Sequence, residues 1–312
     1  MYWCLNNRAL GLSLPVRQTL ELAASAGFGG IDFMLRDLLE EGVDPAEART
    51  MADDLGLRAG AWPLPVDWRG DRDRFELDLA QLPRFAEAAA VLGATRTGTW
   101  VMPETPRDGS SRLKSALGAD HGLDSQTERA ATAAFHGDRL GAIARVLADF
   151  GIQLGLEVIG VESFRTGGGV PFVTRLGELG PWLGSLLCDY PNVGILLDAF
   201  HLYAAKEGIE AGLVWGVDRV VWVHVADLPA KWGGDRGTIL DHDRGLPGEN
   251  GAVGVAPFLQ RLVDEGYKGP VTPEPGARCQ SLLGRPAEEI VRLVAEAMRS
   301  VWPSPVPYRE RG

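Results

Sequence analysis

The sequence predicts an α/β fold, a single (β/α)8 barrel over residues 1–312 with long loops after its fourth and seventh strands. Three observations carry that prediction. Eight short, apolar, β-rich runs alternate with helical patterns, the mark of parallel βαβ units, and eight such units close a barrel. Four of those runs end on or lead into Glu157, Asp198, His224 and Glu274, so their side chains meet at the C-terminal mouth, where such barrels place their chemistry. The length also agrees, because a barrel of this kind takes about 250 residues and grows by loop insertion. The structural rival is an open doubly wound sheet, which carries a glycine-rich phosphate turn after its first strand. Segment 6–14 has no such turn.

The elements follow in order. Residues 2–6 form a strand and 15–26 a helix that stops at Gly27; 30–34 form a strand and 45–55 a helix stopped by Gly56. Residues 57–62 are the third strand, 72–92 a helix closed by Gly93, and 94–101 the fourth strand. Glycine after each helix suits the left-handed position that ends it. The long loop 102–137 comes next, then a helix over 138–150, a strand over 152–158 and a helix over 172–187. The run 193–197 leads to short helices at 201–206 and 209–215; the strand 219–225 opens the second long loop, 226–254. A helix over 255–265, a strand over 269–272 and a tail helix over 286–301 complete the pattern. Both loops exceed ordinary connections. Emerging at the mouth, they are expected to act as lids or substrate-binding segments.

Composition narrows the function. Lys+Arg 31 against Asp+Glu 42 gives a net charge of −11, and an acidic surface repels nucleic-acid phosphate. Cys4, Cys188 and Cys279 are scattered and odd in number, which fits small buried residues of a cytoplasmic protein rather than a disulfide framework. The start MYWCLNNRALGLS lacks the basic and apolar regions of a signal peptide, and no run of about 18 apolar residues predicts a membrane span.

Glu157 in GIQLGLEVIG ends an apolar strand, where an unpaired charge costs several kcal/mol. A cation is its simplest partner. Asp198 and His201 in NVGILLDAFHLYAAKEG stand three apart at a strand-to-helix junction, so both reach the space above the barrel; Asp198 is either a metal ligand or a plain helix cap. His201 is open between metal ligand, substrate donor and packing residue. His224 lies between valines in VVWVHVADLPA, and Glu274 between prolines in GPVTPEPG, which stiffen its backbone. Two glutamates, an aspartate and a histidine make an O/N ligand set for a divalent cation such as Mn²⁺, Mg²⁺ or Co²⁺. Arg244 is a candidate anion or hydroxyl anchor. Trp3, Trp62 and Trp100, near strand ends, are candidate aromatic walls for a sugar face, and Thr166–Gly169 (TGGG) is either a phosphate cradle or a hinge.

Together the segments AGFGGID, GLEVIG, NVGILLDAFHLYAA, VVWVHVADLPA, RGLPGENGAV and GYKGPVTPEP resemble the sugar isomerase/epimerase superfamily of xylose-isomerase-like TIM barrels, from about residue 20 to Glu274. The resemblance implies one divalent metal on Glu157, Asp198, His224 and Glu274, with Mn²⁺ first and Mg²⁺, Co²⁺ or Zn²⁺ as alternatives. It implies that His201 and Arg244 touch substrate. Ketohexose 3-epimerases of the superfamily carry a second glutamate six residues after the first ligand; here that place holds Ser163, and Glu162, one residue earlier, is the candidate substrate contact.

The chemistry expected is proton abstraction α to a carbonyl, isomerising or epimerising a sugar or cyclitol through an enediolate, with Glu157 and Glu274 as base and acid. Trp100 joins His201, Arg244 and Glu162 among the expected substrate contacts. A lyase or dehydratase acting on a keto-sugar or inosose is the alternative, with His201 or His242 as the acid. An apurinic-site endonuclease is disfavoured by five histidines and the acidic charge. A non-catalytic binding module would leave four ligand-type residues without a task. The expected partner is a small sugar or cyclitol, with no nucleic acid or membrane, and a homo-oligomer is left open.

Overall fold

The computed structural model describes residues 1–106 and 125–303. Among these residues nine strands form one parallel sheet: β1 (Tyr2–Leu5), β2 (Gly30–Ile31), β3 (Arg58–Ala59), β4 (Trp62–Pro63), β5 (Arg96–Trp100), β6 (Gln153–Glu157), β7 (Val193–Asp198), β8 (Val220–Val225) and β9 (Pro270–Pro273). Their order is β3-β2-β1-β9-β8-β7-β6-β5-β4. The two edges, β3 and β4, are consecutive pieces of chain parted only by Gly60 and Ala61. Backbone bonds from Gly60 to the Ile31 carbonyl (2.7 Å), from Phe33 to the Ala61 carbonyl (3.0 Å) and from Leu64 to the Gly98 carbonyl (3.3 Å) carry the ladder across that break. The expected third strand is therefore present in two halves, and the sheet closes into the TIM-barrel fold.

Gly60 explains the break. A Cβ there would collide with the Asp32 carboxylate and stand 2.7 Å from Cys4 Sγ, so only glycine lets the strand pass this point. Inside the barrel, a Cβ on Gly98 would lie 2.8 Å from Leu196 and 3.1 Å from Trp222. The missing side chain makes room for Trp222, which packs there with Ala61 and Leu196.

On the outer face Leu154, Leu156, Ile195 and Leu197 bury themselves against helices, each worth about 1.5–3 kcal/mol against exposure. The helices are α1 (Val16–Ala26), α2 (Leu35–Glu40), α3 (Pro45–Asp54), α4 (Arg72–Leu92), α5 (Ser125–Ala148), α6 (Leu179–Asp189), α7 (Ala199–Ala204), α8 (Glu210–Leu213), α9 (Val255–Asp264) and α10 (Ala287–Val301). None among the described residues is long and apolar enough to cross a membrane.

Three expectations need correction. α5 starts at Ser125 rather than 138, so the C-terminal part of the expected loop 102–137 is helix; residues 107–124 of that loop lie outside the described residues. The helix expected over 172–187 begins with a 3-10 turn at Leu176–Glu178, because Pro171 and Phe172 pair with Glu104 and Pro103. The short α2 had no counterpart in the sequence reading.

Candidate metal centre

Four neighbouring strands bring the expected ligands together. Glu157 ends β6, Asp198 ends β7 opposite His224 of β8, and Glu274 follows β9, its N–H donating to the Val225 carbonyl at 2.9 Å. One ligand atom from each of the four lies within 4.8 Å of every other. Three carboxylates this close repel strongly in a partly desolvated site, so the arrangement requires positive charge.

The chain supplies some of that charge. Arg244 is buried, with Nη1 donating to Asp198 Oδ2 at 2.9 Å and lying 3.3 Å from Glu274 Oε2. Its Nη2 donates to Asp241 Oδ1 at 2.9 Å and to His201 Nε2 at 3.1 Å. Since arginine only donates, His201 accepts through Nε2, and its proton sits on Nδ1. Burial alone would raise Asp198, but Arg244 and the imidazoles of His201 and His224 outweigh it and hold the carboxyl well below its ordinary range. Burial likewise raises Glu274, yet His224 and Arg244 bring it down. For His224 burial lowers the pKa, and Glu274 and Glu157 together push it well above the ordinary value.

The donor set fits a divalent cation. Buried polar atoms are normally hydrogen-bonded, yet among the described residues neither nitrogen of His224 has an aligned hydrogen-bond partner, although Nδ1 stands 3.1 Å from Glu274 Oε2 and 3.7 Å from Glu157 Oε1. Lone-pair donors gathered at that spacing without aligned hydrogens are what a cation between them would satisfy. Asp198 also plays the part of helix cap: Oδ1 accepts from the Phe200 and His201 N–H groups (2.7 and 3.3 Å), leaving Oδ2 to face the site.

A cavity of about 380 Å³ opens onto this cluster. Trp100, Ile159 and Phe164 form its apolar wall, while Glu157, Glu274, His201, Arg244 and His242 line the polar side. The loop carrying Arg244 is tethered by the buried Asp227. Its Oδ1 accepts from Leu228 (2.8 Å) and Val253 (3.2 Å), and its Oδ2 from Gly251 (2.8 Å).

Other candidates fall elsewhere. Glu162 is exposed, pairs with Arg165 at 3.2 Å and is not part of the cavity wall. Of the three tryptophans only Trp100 lines the cavity; Trp3 packs on Phe28 and Trp302, and Trp62 is core. In the TGGG stretch the Thr166 and Gly167 N–H groups bind the Glu104 carboxylate (2.9 and 3.2 Å), so those donors already hold an anion of the chain itself. Sequence reasoning missed Phe164, edge-on to Trp100 at 5.9 Å, and Arg69, stacked on Trp100 at 3.8 Å. The one signal for Phe164 was an aromatic residue within the polar stretch VESFRTGGG.

The family model described as "Xylose isomerase-like TIM barrel" matches residues 20–301. A xylose isomerase domain protein from Alicyclobacillus acidocaldarius superposes with a TM-score of 0.77 at 25% identity, covering 96% of this chain and 98% of that one. The IOLI protein, solved with a zinc atom, superposes at 0.71 with 16% identity over 96% and 98% of the two chains. A 3-dehydroshikimate dehydratase from Pseudomonas putida is 26% identical over 272 residues, 85% of this chain. The chain spans only 36% of that relative's length.

Proposed function

The chain belongs to the xylose isomerase-like TIM-barrel family, and from that premise we propose a divalent-metal-dependent enzyme that removes a proton α to the carbonyl of a small polyhydroxylated ketone and then expels a hydroxyl group as water. The observation that carries the reading is the cluster of Glu157, Asp198, His224 and Glu274 at one mouth, with both His224 nitrogens lacking an aligned hydrogen-bond partner among the described residues. Those four residues would hold the cation, Mn²⁺ by its preference for such O/N donors, with Mg²⁺, Co²⁺ or Zn²⁺ as alternatives. Bound there, a cation supplies Lewis acidity, which lowers the pKa of a C–H beside a carbonyl and stabilises the enediolate charge.

The chain's own residues do the rest. Glu157 and Glu274 both line the cavity, and one of them takes the proton. Trp100 and Phe164 wall the apolar side, where a ring face packs and water is kept out. His201, whose Nε2 accepts from Arg244, helps place that guanidinium, while His242 on the same cavity wall delivers a proton to the departing hydroxyl, so that water leaves and a carbon–carbon double bond forms. Dehydration is favoured over epimerisation by the Pseudomonas dehydratase likeness and by exposed Ser163 standing where the epimerases place their second glutamate. Isomerisation or epimerisation remains the second reading, supported by two cavity carboxylates able to act as base and conjugate acid.

The test is proton NMR and ultraviolet absorbance of the metal-loaded protein with hydroxylated cyclic ketones and ketoses in D₂O. A new conjugated double bond with loss of the α-proton signal is the expected result. Uptake without the double bond selects the second reading. Neither a new double bond nor deuterium uptake on any member of the panel would sink both.

A further inference from the structure

Histidines that bind metals are normally oriented by a hydrogen bond from the ring nitrogen facing away from the ion to a carboxylate, carbonyl or water. Among the described residues His224 has no such bond: Nδ1 faces Glu274 and Glu157, and Nε2 is buried without a partner there. Its ring is confined by Trp222, which meets it edge-to-face with centroids 4.4 Å apart and planes at 82°.

Trp222 is itself pinned. Its Nε1–H donates to Thr272 Oγ1 at 2.8 Å, and the Thr272 hydroxyl donates to Asp32 Oδ2 at 2.6 Å. The direction is forced, because indole nitrogen only donates and the hydroxyl has a single proton to pass on. Asp32 anchors the far end, with Oδ1 accepting from the Ala61 N–H at 2.8 Å and Oδ2 from Asn6 Nδ2 at 3.4 Å. Asp32, Thr272 and Trp222 are at most 3% exposed, so solvent cannot replace any of these bonds. The chain of bonds ties β8 and β9 to the opposite side of the barrel, where Asp32 follows β2 and Ala61 parts β3 from β4.

We propose that Asp32 is a positioning residue of the metal centre: through Thr272 and Trp222 it fixes the plane of the His224 ring, so that cation affinity and geometry depend on a carboxylate outside the four ligands. The inference rests on the metal-centre reading. A buried carboxylate suits the position because the Thr272 hydroxyl must end on an acceptor. An asparagine there would have to turn its oxygen either to Ala61 or to Thr272 and could not serve both.

The experiment titrates the metal-free protein with Co²⁺ alone, following affinity and the visible spectrum of bound Co²⁺, with thermal unfolding of the metal-free forms alongside. Asp32→Asn and Thr272→Val should weaken Co²⁺ binding at least tenfold and change the spectrum, while Thr272→Ser restores both. Trp222→Phe, which keeps a ring but loses the Nε1 donor, should change the spectrum as well. If Asp32→Asn does not fold, Thr272→Val and Trp222→Phe decide. Wild-type affinity and spectrum in the folded variants would mean that the network only braces the barrel, and the inference fails even where melting temperatures drop. Absence of Co²⁺ uptake by the wild-type protein overturns the metal centre itself, and the inference with it; uptake that Glu157→Gln leaves unchanged also overturns the ligand assignment.

Discussion

Asp198 gives one oxygen to the first turn of α7 and the other to Arg244. The two sequence readings, cap and ligand, describe different atoms of one side chain. The Asp198–Arg244 pair is buried on both sides, 1% and 6% exposed, and removing one partner from such a pair costs about 3–5 kcal/mol because the other charge is left alone. Arg244→Ala should therefore destabilise the metal-free protein by that order in urea unfolding, and saturating divalent metal should recover part of the loss by restoring positive charge. A variant as stable as wild type would show that Asp198 is compensated in another way. Glu157→Gln should lower divalent-cation affinity at least tenfold by calorimetry, since it removes a charge and a ligand oxygen from the cluster. The cluster was legible because each of its members closes or follows an apolar run, where a side chain able to carry charge stands out. The contact between Arg244 and Asp198 was not, because 46 residues of chain separate them and only the course of the loop brings them together.

At the scale of elements, the strands were legible from short β-rich runs, whereas helix starts were read less well. α5 begins before a glycine-containing stretch that resembles loop, and α6 starts late because residues 171 and 172 bond to 103 and 104 instead. The seventh-strand loop was recognisable by its length, but its rigidity lies in Asp227, a residue with no sequence signal beyond its place after β8. Three N–H groups converge on that carboxylate. Asp227→Asn turns an NH₂ group toward one of those donors, which costs about 1–3 kcal/mol for the buried group left unsatisfied. The expected result is a lower melting temperature together with a fall in kcat/KM, because Arg244 rides on the tethered loop. A fall in stability with kcat/KM intact would mean that the tether does not place Arg244.

For the whole molecule, pH dependence tests how the core is sealed. His136 on α5 is fully buried; its Nδ1–H donates to the Thr132 carbonyl at 2.8 Å, and its Nε2 accepts from the Met102 N–H at 3.2 Å. Only the neutral ring makes both bonds, and burial pushes its pKa from 6.5 down to about 4. Between those values the unfolded chain binds a proton that the folded chain refuses, so stability falls as pH falls, by about 3 kcal/mol once pH 4 is reached. Asp32 acts in the opposite sense. Burial raises it from 3.8 to about 6, so the folded chain binds the extra proton, and the cost of its burial is relieved on acidification by a similar amount, about 3 kcal/mol. Across the shared window the two largely cancel, and the wild-type profile alone hides His136. The difference between wild type and His136→Gln isolates it, because the metal-site groups and Asp32 are common to both. In urea unfolding at pH 7, 5.5 and 4.5, wild type should lead at pH 7 and lose about 2 kcal/mol of that lead by pH 4.5. A gap that stays constant with pH would mean that His136 takes up its proton inside the fold, and that the junction between α5 and the chain leaving β5 is open to water.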